Sequence, residues 1–140
     1  MPQEFSAGAV IFRREHGKTL YLILQYEKQH WDFVKGHIEY GEDEGEAVVR
    51  ETCEETGISE LGFIPGFREK IEYFFKKEGK TVHKQVMFLL AETKTKEVTL
   101  SFEHIGFEWL AYEKALGRLT FENAKDILKK ADSFLEALHR

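Results

Sequence analysis

A mixed sheet flanked by helices, an α/β sandwich, is the fold class this sequence predicts, and three observations carry it. Apolar runs of strand length recur near the N-terminus and in the middle of the chain. Turn dipeptides, His16-Gly17 and Glu78-Gly79, split those runs into hairpins. A stripe of helical period closes the chain.

Phe5–Arg13 reads as the first strand, and His16-Gly17 turns it into Thr19–Tyr26. There Leu20, Leu22 and Leu24 alternate with Tyr21, Ile23 and Gln25, the pattern of a strand buried on both faces. Glu46–Thr56 has helical character, with Ala47, Val49 and Cys53 expected toward a core and Gly57 as a C-terminal cap. A strand over Phe67–Phe75, the Glu78-Gly79 turn and a strand over Val82–Ala91 form a second hairpin, and Gly106–Leu110 adds a short strand. In Phe121–Leu138, the residues Phe121, Ala124, Ile127, Leu128, Ala131, Phe134, Leu135 and Leu138 share one helical stripe, so this helix should cap the sheet.

At 140 residues with 42% hydrophobic content and no repeat or linker, residues 1–140 are expected to form one domain around one core. A net charge of −5 and a pI near 5.7 argue against a general nucleic-acid binder, which would present a basic face, and toward a small partner. The lone Cys53 has no disulfide partner and is expected as a small buried residue. With no secretory leader or long apolar segment, a cytoplasmic protein without membrane association is expected.

The residues between Gly36 and Gly57 break the rules of a solvated helix. From Glu42 to Glu55 there are seven acidic residues and one basic. Glu51, Glu54 and Glu55 stand at i, i+3 and i+4, so their carboxylates converge on one face and repel. Glu54 and Glu55 also lie in the last turn, where the helix dipole disfavours anions by about 0.3 to 1 kcal/mol each. An ordinary charged face, with Arg50 paired to Glu46 or Glu54, leaves the other acids uncompensated. A hard cation with oxygen ligands turns the repulsion into coordination, which makes magnesium or manganese the natural cofactor.

Gly36-x5-Glu42-x7-Arg50-Glu51-x2-Glu54-Glu55-x-Gly57 resembles, at all seven fixed positions, the signature of the Nudix hydrolases, which cut a nucleoside diphosphate linked to another group. The chance of such a match is roughly one in a million or rarer per frame. Thr52 departs from the family pattern, which has an aliphatic residue there, and its methyl can still pack. The resemblance implies a Nudix-type α/β/α sandwich with a central mixed sheet. It also implies that Glu51, Glu54, Glu55 and the Gly36 carbonyl hold the metal while Arg50 steadies a glutamate of the cluster. The proton acceptor lies either within the signature or on a later loop, where Glu103 is the candidate for that role and for a further metal ligand.

Within the family, the chain is most similar to the asymmetrical diadenosine tetraphosphate hydrolases, through His30-Trp31, Lys35-Gly36-His37, Glu42-Asp43, Leu100–His104 and Trp109-Leu110. Val34 stands where that group has proline. Two adenines and four phosphates call for aromatic platforms and cations. Tyr73 and Phe121 are the matching candidates for stacking, and Lys35 and Lys84 for phosphate contact. His37 and His104 are expected to be hydrogen-bonded loop residues, because hard cations prefer oxygen. The implied reaction is hydrolysis to ATP and AMP. The alternatives are a pyrophosphohydrolase for RNA 5′ ends or nucleoside triphosphates, and a nucleotide-binding domain without turnover.

Overall fold

The computed structural model describes residues 1–26 and 29–139. Two long strands, β1 (Gln3–Glu15) and β7 (Lys80–Glu92), lie parallel at the centre of an eight-stranded sheet. Each exchanges partners along its outer edge. On β1, Ser6–Ala9 pair with β4 (Val34–His37), and Phe12–Glu15 pair with β2 (Lys18–Tyr26). On β7, the first two-thirds pair with β6 (Glu69–Lys77) and the end with β5 (Gly62–Phe63). The far edge of β2 pairs with β8 (His104–Leu110), and the end of β2 that runs past β1 pairs with β3 (Trp31–Asp32). One parallel pair among antiparallel ones makes the sheet mixed, as expected.

Both predicted hairpins form at the expected dipeptides. His16 and Gly17 have φ of 50° and 78°, and Glu78 and Gly79 have 51° and 76°, the double left-handed geometry that matches strand twist. Tyr21, Leu22, Ile23 and Leu24 are all buried, as a strand covered on both faces requires.

One face of the sheet presents Val10, Phe12, Tyr21, Ile23, Val86, Phe88 and Leu90 to α2 (Tyr112–Arg118) and α3 (Glu122–Leu138). The other presents Ala7, Ala9, Ile11, Leu22 and Leu24 to α1 (Glu44–Thr56). On α3 the predicted stripe is buried at Ala124, Ile127, Leu128, Ala131 and Leu135. Its ends differ from expectation: Phe121 precedes the helix as its N-cap and is exposed, and Leu138 is exposed.

Among the described residues three helices flank the sheet, where the sequence reading anticipated two. The additional helix, α2, is too short to repeat an apolar period, and only Ala115 in it is fully buried. Strands β3, β4 and β5, two to four residues long, likewise carry no alternation that a periodicity could detect.

Candidate active site

Helix α1 carries the carboxylates and is held at both ends. Asp43 caps its start, accepting from the Glu46 N–H, while the Glu46 carboxylate accepts from the Asp43 N–H; this reciprocal box stabilises the helix by about 1 kcal/mol. Gly57 closes the other end in the left-handed conformation at φ 76°, donating to the Cys53 carbonyl. The buried stripe is Ala47, Val48, Thr52, Glu55 and Thr56. Two expectations are corrected here: Val49 and Cys53 are exposed. Ala47 does face the core, but the stripe advances through Val48 and Thr52, and positions 49 and 53 lie a further 100° round the helix. Thr52 is fully buried and fills its aliphatic slot.

Arg50 ties the acidic surface together. Its Nε and Nη2 donate to both Glu42 oxygens (2.7 and 3.0 Å), its Nη1 to Glu51 (2.9 Å) and Glu54 (2.7 Å), and its Nη2 also to the His37 carbonyl (2.9 Å). The contacts with Glu42 and Glu54 raise the guanidinium pKa above its ordinary value, and Arg50 in turn lowers that of Glu42. The anticipated helical pairing to Glu54 therefore exists, within a wider clamp that also reaches the Gly36-to-Glu42 loop.

Glu55 is the unusual acid. It is 4% exposed, and its Oε1 has no hydrogen-bond partner among the described residues. Burial first, then the Glu51 carboxylate and the charges of Glu103 and Glu54, push its carboxyl up to about 10. Directly across, Gly36 on β4 faces α1, and a Cβ there would collide with the Glu51 carboxylate. Glu103 is exposed on the loop before β8. That loop docks on the end of α1, where the Thr99 and Ser101 N–H groups donate to the Thr56 and Glu55 carbonyls (2.9 and 3.1 Å).

These residues fit a hard divalent cation. The donors are oxygens, one carboxylate is buried without a compensating charge, and the glycine keeps backbone open to the cluster. Among the described residues no three acidic, histidine or cysteine side chains stand ready in coordinating geometry; Arg50 holds Glu51 and Glu54.

The sequence-predicted binding residues fall on the opposite face of the sheet. Lys35 and Gly36 are neighbours on β4, so they point to opposite sides: Gly36 opposes Ala7 on the α1 face, and Lys35 opposes Gly8 on the α3 face. Lys35, Tyr73 and Phe121 line one cavity of about 270 Å³, with Asp32 and Asn123. The Lys35 ammonium sits 3.1 Å from Asp32 and 5.8 Å from the centre of the Tyr73 ring. Burial disfavours its charge, but Asp32 more than restores it, so its pKa lies above the usual lysine value.

Lys84, the fourth predicted residue, is paired with Tyr73 across β6 and β7 but lies outside the cavity lining. Burial and then repulsion from Lys35 lower its pKa, with Glu4 3.8 Å away as partial compensation.

Asn123, Asp32, Tyr26 and His104 are the site neighbours that sequence reasoning missed or set aside. Tyr26 packs edge-on against His104 at 4.5 Å and donates to the Phe33 carbonyl. For two of them the sequence signal is position: His104 ends the quoted Leu100–His104 stretch, and Asn123 lies in the first turn of the last helix.

Comparison with known proteins agrees with this geometry. The NUDIX domain model matches residues 2–132. An asymmetrical bis(5′-nucleosyl)-tetraphosphatase of Mus musculus is 37% identical over 142 residues, covering 93% of this chain and 94% of that one. The Caenorhabditis elegans enzyme of the same name is 36% identical, covering 93% and 95%. A crystal structure of a C. elegans Ap4A hydrolase binary complex superposes with a TM-score of 0.84 at 34% identity, covering 96% and 98%. Likeness of this extent in both sequence and fold has one explanation, common descent, and the chain belongs to the Nudix family of hydrolases.

Proposed function

We propose that this chain hydrolyses diadenosine tetraphosphate asymmetrically, to ATP and AMP, with a divalent cation held by the α1 carboxylates. The observation that carries the reading is the Lys35–Gly36 step on β4, which joins the carboxylate cluster on one face to the aromatic and cationic cavity on the other. A substrate running past this strand offers phosphate to a carboxylate-held cation on one side, and a base with its neighbouring phosphates to the rings and lysines on the other. The relatives from mouse and worm, which bear the name of this activity and match over more than nine-tenths of each chain, support the same substrate.

The polyphosphate resists attack because its phosphorus atoms are screened by negative oxygens. Magnesium, or manganese, supplies charge neutralisation at those oxygens and increases the acidity of a coordinated water. Glu51, Glu54, Glu55 and the Gly36 carbonyl would hold it, with Glu103 close enough to act on Glu55 electrostatically. Arg50 keeps Glu51 and Glu54 oriented. Lys35 and Lys84 meet the phosphates, and Tyr73 and Phe121 stack on adenine, each base–ring contact contributing about 1 to 3 kcal/mol. A water oxygen bonds to a phosphorus near one end, the bridging P–O bond breaks, and a carboxylate of the cluster or Glu103 takes the water proton.

The proposal extends to a cytoplasmic site of action, supported by an exposed, unpaired Cys53 that suits a reducing compartment. No helix among the described residues is long and apolar enough to cross a membrane.

Incubation with magnesium and a nucleotide panel in oxygen-18 water, followed by mass spectrometry, tests the reaction. ATP and AMP in equal amounts, one carrying the label, are expected from diadenosine tetraphosphate. Two ADP would contradict the asymmetry, and preferential turnover of capped RNA or nucleoside triphosphates would reassign the substrate.

A further inference from the structure

The most unusual polar contact in the molecule lies behind the carboxylate cluster. His104 Nε2 faces Glu55 Oε1 at 3.3 Å, with the two side chains 0% and 5% exposed. Neither atom has a hydrogen-bond partner among the described residues, and the pair stands in close contact short of hydrogen-bond alignment. On its far side, His104 Nδ1 lies 3.2 Å from the Ser101 hydroxyl. With Glu55 ionised, as a metal-binding carboxylate must be, the ring lies between a hydroxyl that can donate and a carboxylate that accepts, an arrangement satisfied by one tautomer: proton on Nε2, lone pair on Nδ1.

The backbone is built to deliver this ring. In the β2–β8 ladder the register passes from Gln25–Gly106 to Tyr26–His104 and skips Ile105. That extra residue reverses the side-chain parity of the strand. Without it, Ile105 would oppose Tyr26 and His104 would point the other way. With it, Ile105 is more than half exposed and the imidazole turns inward against Tyr26 and Glu55. The loop that places Ser101 is itself fastened to the Glu55 carbonyl through the Ser101 N–H. One residue of α1 is therefore gripped at backbone and side chain by the same five-residue segment.

We propose that His104 is a positioning residue for the cation site, donating from Nε2 to one Glu55 oxygen so that the other is aimed at the ion, with Ser101 selecting the tautomer. Oriented donors behind a ligating group raise metal affinity because the ligand loses less freedom on binding. The inference rests on the reading of Glu51, Glu54 and Glu55 as a divalent-cation site.

Calorimetric titration of Mn²⁺ into metal-free protein tests it without reference to turnover. Wild-type protein is expected to bind Mn²⁺ and Glu55→Gln to lose most of that binding. His104→Asn, whose amide cannot reach the Nε2 position, should weaken Mn²⁺ by about 10- to 100-fold. His104→Gln, which restores a donor near Nε2, should recover affinity to within a few-fold, and Ser101→Ala should weaken it by several-fold. In steady-state assays kcat should follow Mn²⁺ affinity while KM for the nucleotide stays within about twofold.

Wild-type Mn²⁺ affinity in a folded His104→Asn protein would overturn the proposal while leaving the cation site intact. Absence of Mn²⁺ binding in the wild type would overturn the cation site and this proposal together. Should His104→Asn not fold, the other two variants decide: unchanged affinity in Ser101→Ala together with no binding in a folded His104→Gln protein counts against it.

Discussion

Glu51 occupies the space that a side chain at position 36 would need, its carboxylate resting against the Cα of Gly36. The requirement for glycine here is one of room, not of backbone angle, since Gly36 sits in a regular antiparallel pairing with Ala7. It couples a strand residue to an acid on the neighbouring helix.

Gly36→Ala should therefore displace Glu51 and spare the fold, because the colliding group is the end of a flexible side chain. The expected outcome is a loss of Mg²⁺-supported kcat of at least about tenfold, or 1.4 kcal/mol of barrier. The melting temperature should stay within a few degrees of wild type; a variant with full activity would separate Gly36 from the site.

Glu54→Gln removes a charge from a largely exposed position while keeping a group for Arg50 to hold at 2.7 Å. Turnover should fall at least roughly tenfold, about 1.4 kcal/mol, with an unchanged circular dichroism spectrum. An unaltered kcat would remove Glu54 from the mechanism.

Tyr73→Ala opens the cavity shared with Lys35 and Phe121. Loss of a stacked base should raise KM for diadenosine tetraphosphate by about 5- to 150-fold, from the 1 to 3 kcal/mol of such contacts. Tyr73→Phe should stay close to wild type, since the ring carries the effect. Equal KM values for the alanine and phenylalanine variants would show that the base binds elsewhere.

The stability of the metal-free protein should fall as pH rises. Glu55 holds its proton up to about pH 10 in the folded state, against an ordinary value of 4.5. A raised folded-state value favours the fold fully below 4.5, and that contribution is lost progressively as pH climbs toward 10. Melting temperatures measured without metal should therefore decline between pH 5 and 9, with Glu55→Gln flattening the slope. Added Mg²⁺ should stabilise most at the alkaline end, where the carboxylate is free to ligate; a wild-type slope identical to that of Glu55→Gln would contradict this account.

Much of the sheet could be read from the chain because hairpins are local. His16-Gly17 and Glu78-Gly79 mark their turns with residues that adopt positive φ, and Tyr21–Leu24 shows its double burial directly. The phase of α1 was harder to read. Ala47, Val49 and Cys53 are all apolar, but only Ala47 is buried; the polar Thr52 and Glu55 take the inner positions. A hydrophobicity pattern misplaces the stripe of a helix whose buried face includes the site.

The spacing from Gly36 to Gly57 by itself determined the family, the acidic convergence on one helix face and the demand for a cation, because residues three and four apart on a helix are neighbours in any fold. Tertiary structure alone decided that Lys35, Tyr73 and Phe121 share a cavity, that Gly36 makes room for Glu51, and that His104 meets Glu55. Those contacts join residues 15 to 86 positions apart through strand exchange on β1 and a skipped residue in β8, where a change of one in register reverses which face a side chain takes.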